Sequence, residues 1–517
     1  LPIYVNAPQD RVSPDLYRKL LAEARPRQAV IIATPDNLHF EMVMNAHRYD
    51  GFVGIHSCDK RGPGAAMYLA RSNMFGLLIS GGSILPGCHD GKPITTKDAM
   101  NARALQRVGQ LDKSEADAII GKACPGPGGC GAMYTFNTMA VAFEAIGLMP
   151  PYSSSIPAVD PSKIDECRQI GRLIRNLIER DIRPRDILTK RAFLNGIAAA
   201  AAVGGSTNIV IHLLAIAEAA EVELTLADFQ RVFRETPVMC DFAPRGVASM
   251  VDLHQAGGTP ALFKQLLREG IITGDQMTVT GKTLGENLEE IDAGTFFIQN
   301  AGYLANVKVD RNEVIRPRRD PFGPEGGIAV LRGNLAPGGA VIKHFSVPKE
   351  MHVHIGPARV FDTEDLAVEA LLSREVKPGD VVIIRYEGPK ANGMPEMYYA
   401  TAIIAASKEL SATCAVITDG RYSGAAKGPA VGHVTPEAMD GGPIALVHEG
   451  DLIEINVPER RLAVVGTADG PMEPSAVDAI LAERRAEWIR PKARHVKGIL
   501  SLYARVGAGA NDGGFLA

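Results

Sequence analysis

The stretch from Thr34 to Ser80 constrains the fold more than any other part of the chain. Thr34-Pro35-Asp36 offers a helix start, and Leu38, Met42, Val43 and Ala46 follow at helical spacing until Gly51 ends the run. Residues 52–55 then read as a short buried strand, 57–64 as a turn, 65–73 as a helix and 77–80 as the next strand. Parallel strands need a crossover rather than a tight turn, so this order is the grammar of a parallel sheet in an α/β domain. In such sheets ligands bind beyond the carboxyl ends of the strands. Ser57-Cys58-Asp59-Lys60 falls at one such end and Gly81-Gly82-Ser83 at the next.

Further along, residues 161–267 are mostly helical in pattern, with Thr225 and Asp228 spaced as a capping box before Phe229, Val232 and Phe233. Asp320-Pro321-Phe322-Gly323-Pro324 reads as a linker. Beyond it come short β-rich runs at 328–331, 340–342, 381–386, 414–417 and 452–457, separated by glycines, prolines and acidic turns. That texture predicts a compact barrel or sandwich, closed by one amphipathic helix near 475–488 and followed by a loose glycine-rich tail from Gly507. A chain of 517 residues exceeds one core, and two domains are expected, 1–320 and 325–517.

Composition excludes several classes. Hydrophobic content of 46% and charged content of 22% are those of a soluble globular protein. A net charge of −4 gives no reason to expect nucleic acid or an anionic membrane as partner. The most apolar stretch, 197–219, is broken by Gly204, Gly205, Ser206, Thr207, Asn208 and His212, so it is a poor membrane span. No signal peptide is visible, although the sequence starts at Leu rather than Met. Seven scattered cysteines argue against a disulfide framework and for a reducing, cytoplasmic setting.

Chemistry concentrates in a few loops. Cys58-Asp59-Lys60 sets a soft thiolate, a hard carboxylate and an amine side by side; sulfur suits iron or zinc, and carboxylate suits magnesium or manganese. The same tripeptide also fits an ordinary strand-end turn with a solvated Asp–Lys pair. Cys124-Pro-Gly-Pro-Gly-Gly-Cys130-Gly places two cysteines in a loop nearly free of bulky side chains, before a helix expected over 133–146. A thiolate near a helix N-terminus is a ready ligand. Gly126, Gly128 and Gly131 fit the dinucleotide fingerprint GxGxxG, but no β-branched strand precedes them and no acidic residue follows in the required place. Gly204-Gly205-Ser206-Thr207-Asn208 interrupts two apolar helical runs, with Ser206 as N-cap and backbone N–H groups suited to a carboxylate or phosphate; a plain helix–helix turn reads equally well. Glu387 and Glu396 flank a glycine-rich loop, and the turn Thr418-Asp-Gly-Arg-Tyr-Ser423-Gly424 exposes a serine. His212 and His433 read as structural histidines.

Taken in order, these segments resemble the dihydroxy-acid / 6-phosphogluconate dehydratase family. The resemblance runs through CDKRGPG at 58–64, SGGSILPG at 80–87, CPGPGGCGAMYTFNTM at 124–139 and GGSTN at 204–208. It continues with VTGKTLGEN at 279–287, GGIAVLRGNLAPGGAVIK at 326–343, RYEGPKANGMPEM at 385–397 and TDGRYSG at 418–424. It implies an α/β N-terminal domain and a C-terminal swivelling β-barrel of the aconitase type with the active site between them. It further implies a homodimer or homotetramer carrying a [2Fe–2S] or [4Fe–4S] cluster beside Mg²⁺. By motif, Cys58 and Cys130 would bind the cluster, and Asp59, Lys60 (carbamylated in some members) and Glu396 would bind Mg²⁺. Ser423 would be the general base, and Ser206, Thr207 and Asn208 would lie near the substrate.

The reaction implied is removal of water from a 2,3-dihydroxy carboxylic acid to give a 2-keto acid, as in branched-chain amino acid biosynthesis; the alternative is an aldonic or sugar-acid dehydratase. The family takes a third cluster cysteine and another Mg²⁺ aspartate from upstream of CDK, whereas here no cysteine precedes Cys58, and Asp10, Asp15 and Asp36 stand outside the expected context. Three explanations remain open: the missing segment precedes Leu1, Cys88 or Cys124 completes the cluster, or the chain is a catalytically lapsed paralogue serving as a subunit or binding protein.

Overall fold

The computed structural model describes residues 30–32, 37–296, 309–424, 426 and 428–516. Contacts divide them into two compact units. One extends through Ala99 and takes in Ile119–Leu224 and Arg231–Gly326; the other comprises Met100–Ala118, Thr225–Gln230 and the chain from Gly327 onward. Two pieces of the first half thus cluster with the second.

In the first unit, β1 (Val30–Ile32), β2 (Gly51–His56) and β3 (Phe75–Ser80) form a parallel sheet in that order, with Val30 opposite Phe52 and His56 opposite Ser80. Helix α1 (Asn37–His47) joins the first two strands and α2 (Arg61–Ser72) the next two; the sequence predicts both helices and the last two strands, but not β1. The proposed helix start at 34–36 lies outside the described residues. β2 is buried at every position, the mark of a strand covered on both faces. Its Phe52 ring meets Phe40 of α1 and Tyr68 of α2 edge-on, each at 5.2 Å. The turn after β2 is shorter than expected, because α2 begins at Arg61. Pro63 is tolerated there, since first-turn N–H groups have no intrahelical partner to lose.

A hairpin of β4 (Gly87–His89) and β5 (Lys92–Ile94) follows. Helices α3 (Thr135–Ile146), α4 (Pro161–Glu179), α5 (Lys190–Ala202) and α6 (Asn208–Ala219) build the rest of this core. α3 is buried along its whole length. α5 approaches it closely at Gly196, where a Cβ would stand 2.8 Å from Ile146 Cγ1.

The second unit is not the all-β body that its texture suggested. Nine strands form one sheet: β6 (Ala329–Leu331), β7 (Gly339–Ile342), β8 (Val353–Phe361), β9 (Val381–Ile384), β11 (Ala415–Thr418), β13 (Ala430–Thr435), β14 (Leu452–Asn456), β15 (Arg461–Thr467) and β16 (Gly470–Pro471). The order is β16-β15-β14-β8-β9-β11-β13-β7-β6, and Arg332, just past edge strand β6, bridges back to Arg461, so the sheet curls. β8, β9, β11 and β13 run parallel to one another. Parallel neighbours demand crossovers, which is why α7 (Glu364–Leu372) and α8 (Tyr399–Ala406) lie between them in sequence. A small parallel pair, β10 (Glu396–Met397) and β12 (Arg421–Tyr422), stands beside the sheet. Helix α9 runs Pro474–Glu487 near the expected position, burying Val477 and Leu481, but its amphipathic contrast is weak. The tail is not loose: Gly507 bridges Leu516, Ala510 is buried, and the Asn511 amide donates to the Gly338 carbonyl.

Candidate active site

The first group of polar residues sits where β2 ends. Asp59 is buried, while Cys58 is exposed and Lys60 half-buried. The Cys58 thiol donates to Asp59 Oδ1 at 3.1 Å and Lys60 Nζ to Oδ2 at 3.2 Å. Both carboxylate oxygens therefore already face a thiol and an amine. Behind this turn His56 is fully buried, its Nε2 within 2.9 Å of the Phe136 carbonyl. Burial drives its pKa down to about 4, so the ring is neutral at physiological pH.

Cys130 is half-buried. The helix that follows starts at Thr135, two residues later than expected. Its Asn137 is buried and donates its amide to the carbonyls of both Cys130 and Ala132, at 2.6 Å each. Gly129 is tied to the segment after β3: its N–H donates to Gly82 O (2.9 Å) and its carbonyl accepts from Ile84 N–H (2.8 Å). The turn of Cys58 touches the same segment, since Gly81 N–H donates to His56 O at 2.7 Å. Both cysteine loops therefore abut residues 81–84 at the carboxyl ends of parallel strands. Cys124 contacts Thr96 Oγ1 at 3.7 Å, and Cys88 is exposed on β4.

Ser206 and Asn208 are fully buried. Ser206 Oγ lies 3.0 Å from Thr135 Oγ1, the Asn208 amide donates to Thr135 Oγ1 at 2.9 Å, and Ser206 N–H donates to Thr138 Oγ1 at 3.0 Å. These contacts fasten the start of α6 to α3. Ser206 caps this helix as expected, its Oγ accepting from Asn208 N–H at 3.3 Å, while Thr207 already has helical backbone and makes no side-chain cap bond. Thr207 is the half-buried member of the trio.

In the second unit the β10–β12 pair sets Glu396 opposite Arg421, and Ser423 N–H donates to Met397 O at 2.8 Å. Glu396 and Ser423, both half-buried, thus stand on adjoining segments. Glu387, by contrast, is buried and accepts from the Asn392 amide (2.6 Å) and Arg494 (3.2 Å), a role that fixes the loop. Sequence reasoning missed the residues that shape this region. Asp419 accepts backbone N–H bonds from Tyr386 (3.1 Å), Glu387 (3.0 Å) and Ala438 (2.8 Å), and burial still raises its pKa to about 6. Glu437 accepts from the Lys390 N–H at 3.0 Å; burial, then the nearby Asp419 charge, push its pKa up to about 8. An Asp directly after a strand and before a glycine was the available signal for Asp419. His433 is buried with φ of 58°, and neither ring nitrogen has a hydrogen-bond partner among the described residues. Burial lowers its pKa to about 3. It is therefore not the satisfied histidine expected.

These features define an α/β protein whose reactive side chains gather at strand termini, the usual ligand position in such sheets. Residues 37–287 match the family described as Dihydroxy-acid/6-phosphogluconate dehydratase N-terminal, and residues 313–514 match its C-terminal counterpart. The dihydroxy-acid dehydratase of Sulfurisphaera tokodaii is 44% identical over 477 residues, covering 92% of this chain and 80% of that protein. Those of Francisella tularensis subsp. novicida (44% over 474 residues, 92% and 80%) and Thermus thermophilus (42% over 477 residues, 92% and 81%) are similarly related. The chain belongs to the dihydroxy-acid/6-phosphogluconate dehydratase family. Among the described residues, no helix is long and apolar enough to cross a membrane.

Proposed function

We propose that the protein is a dihydroxy-acid dehydratase, a hydro-lyase that converts a 2,3-dihydroxy carboxylic acid to a 2-keto acid in branched-chain amino acid biosynthesis. The observation that carries this reading is the alignment of relatives bearing that name over 92% of the chain. The cofactors are those that the family resemblance implies, and the donor chemistry of the residues supports them. Cys58, Cys88, Cys124 and Cys130 are accessible enough to take a cluster, whereas Cys167, Cys240 and Cys414 are buried; the motif singles out Cys58 and Cys130 among the four. Asp59 offers a hard carboxylate whose present donors, a thiol and an amine, are groups that lose protons when metals bind. Lys60 joins a Mg²⁺ shell only as its carbamate, because an ammonium has no lone pair. On this reading Cys58 and Cys130 would hold the iron–sulfur cluster, [2Fe–2S] or alternatively [4Fe–4S], and Asp59, Lys60 as its carbamate and Glu396 would hold Mg²⁺.

When bound, these groups supply Lewis-acid stabilisation for the departing 3-hydroxyl and for charge developing on the carboxylate and 2-hydroxyl. The chain's own contribution is proton management at C2. Ser423 takes that proton only as an alkoxide, since a neutral serine is far too weak a base; a nearby cation must lower its pKa by several units. The backbone bond to Met397 holds Ser423 beside the strand that carries Glu396. Loss of the C2 proton and the 3-hydroxyl gives an enol, which tautomerises to the keto acid. The reading includes domains at 1–320 and 325–517, the latter as a swivelling barrel, a homodimeric assembly and a cytoplasmic setting.

The test is anaerobic purification with iron and sulfide analysis, EPR, and assay for 2-keto acid from a branched dihydroxy acid and from an aldonic acid. Turnover of the branched acid with a cluster signal is the expected result. Iron-loaded protein that dehydrates neither compound would end the proposal.

A further inference from the structure

Behind β3 lies a buried charge pair that the proposed chemistry does not use. Lys163 and Glu166, on the first turns of α4, have side chains 1% and 0% exposed, and Lys163 Nζ meets Glu166 Oε2 at 2.6 Å. The same ammonium donates to the carbonyls of Ser80 (3.0 Å) and Ser153 (2.8 Å), so each of its three N–H bonds is engaged. Ser80 is the last residue of β3. Its N–H donates to Ser153 Oγ at 2.8 Å, and its own Oγ accepts from Gly82 N–H at 3.1 Å.

Stability alone does not explain this arrangement. A buried ion pair must be desolvated, and an apolar pair of similar volume is often as stable or more so. What an apolar pair cannot do is hold two carbonyls at fixed positions. The Ser80 carbonyl opens the segment 81–84, to which Gly129 is bonded at Gly82 and Ile84 and to which His56 is bonded at Gly81. Gly129 directly precedes Cys130, and His56 lies two residues before Cys58.

We propose that Lys163 is a positioning residue: through the Ser80 carbonyl it sets the register of residues 81–84, and through them the spacing of the Cys58 and Cys130 loops. The consequence for metal binding rests on the reading of those two thiols as cluster ligands. The register itself does not.

Wild type, E166Q and the volume-conserving double variant K163M/E166L are compared in two ways. Amide hydrogen exchange on metal-free protein should show protection at Ile84 and Gly129 falling about tenfold or more in K163M/E166L, with far-UV circular dichroism retained. E166Q keeps both carbonyl bonds of Lys163 but removes its buried counter-charge, so any loss of protection should be general to the unit rather than greater at Ile84 and Gly129. After anaerobic reconstitution, the double variant should bind less iron and give an altered EPR signal, whereas E166Q should not. If the double variant fails to fold, K163Q is the second route, with the same loss of protection expected. Wild-type exchange at Ile84 and Gly129 in a folded Lys163 variant overturns the proposal. Wild type that takes up no iron would instead sink the cluster reading, and the exchange data would still decide the role of Lys163.

Discussion

Replacing Glu437 by Gln should make the second unit more stable in alkaline solution, and the size of the gain follows from where the carboxyl sits. Its side chain accepts backbone N–H bonds at the start of the short helix Pro389–Asn392, is 3% exposed, and has Asp419 nearby. Burial raises its pKa from an ordinary 4.5 to about 8. The sign is that of a raised acid. Below about 4.5 both folded and unfolded chains hold the proton and the full stabilisation is present; it is lost as pH climbs through 8. In that window each pH unit removes about 1.4 kcal/mol. Asp419, raised to about 6, contributes in the same direction mostly at lower pH, and since both proteins carry it their difference from pH 6 to 8 reports chiefly on Glu437. Across those two units wild type should lose about 2 kcal/mol relative to E437Q, because the carboxyl is already half deprotonated at pH 8 and the slope falls off there. Trp488 is the chain's single tryptophan; it donates to the Tyr386 hydroxyl at 3.4 Å and packs on the curled-sheet core, so its fluorescence reports this unit alone. Urea titrations followed at Trp488 at pH 6, 7 and 8 supply the measurement. Parallel pH profiles for the two proteins would refute the argument.

Other expectations are equally direct. In Gly62→Ala the new Cβ would lie 2.2 Å from the buried Nδ1 of His56, an overpacking that costs about 1–3 kcal/mol and should appear as a lower melting temperature of metal-free protein. Asn137→Ala strips the donor from the carbonyls of Cys130 and Ala132, so a loss of about 1–3 kcal/mol is expected, with faster modification of Cys130 by a thiol reagent; unchanged reactivity would show that the amide does not hold the loop. Cys130→Ser should leave circular dichroism intact and reduce bound iron, which direct iron assay checks. Ser423→Ala should retain iron and lose turnover; appreciable keto-acid formation by that variant would remove Ser423 from its proposed role.

Much of the first unit was legible because its signals are local. The apolar run after Gly51 and the helical spacing on either side of it suffice to specify β2, β3 and the crossover between them, though not β1, and the carboxyl-end rule then points at Cys58. The second unit was harder to read for a physical reason. Its central strands, VVII in β9 and AVIT in β11, are buried on both faces and carry no alternation, so a parallel run with crossovers looks like a string of short antiparallel strands. The helices α7 and α8, EDLAVEALL and YATAIIAA, have weak amphipathic contrast and were absorbed into that texture.

The site residues divide along the same line. Cys58, Asp59 and Lys60 adjoin in sequence, and Cys130 announces itself by the glycines around it, so spacing marks them as candidates and the family resemblance supplies their expected roles. The buried groups that hold the loops of each unit do not adjoin their partners. Asn137 reaches back to Cys130, Asp419 gathers N–H groups from two remote turns, and Lys163 grips Ser80 across 83 positions of sequence. A sequence motif names the atoms that meet a ligand, because those atoms share a loop. It is silent about the buried donors that hold the loop in place, because their partners are backbone carbonyls and amides that every residue type carries. For that reason the positioning groups, rather than the ligands, are where substitution tests on this protein carry most new information.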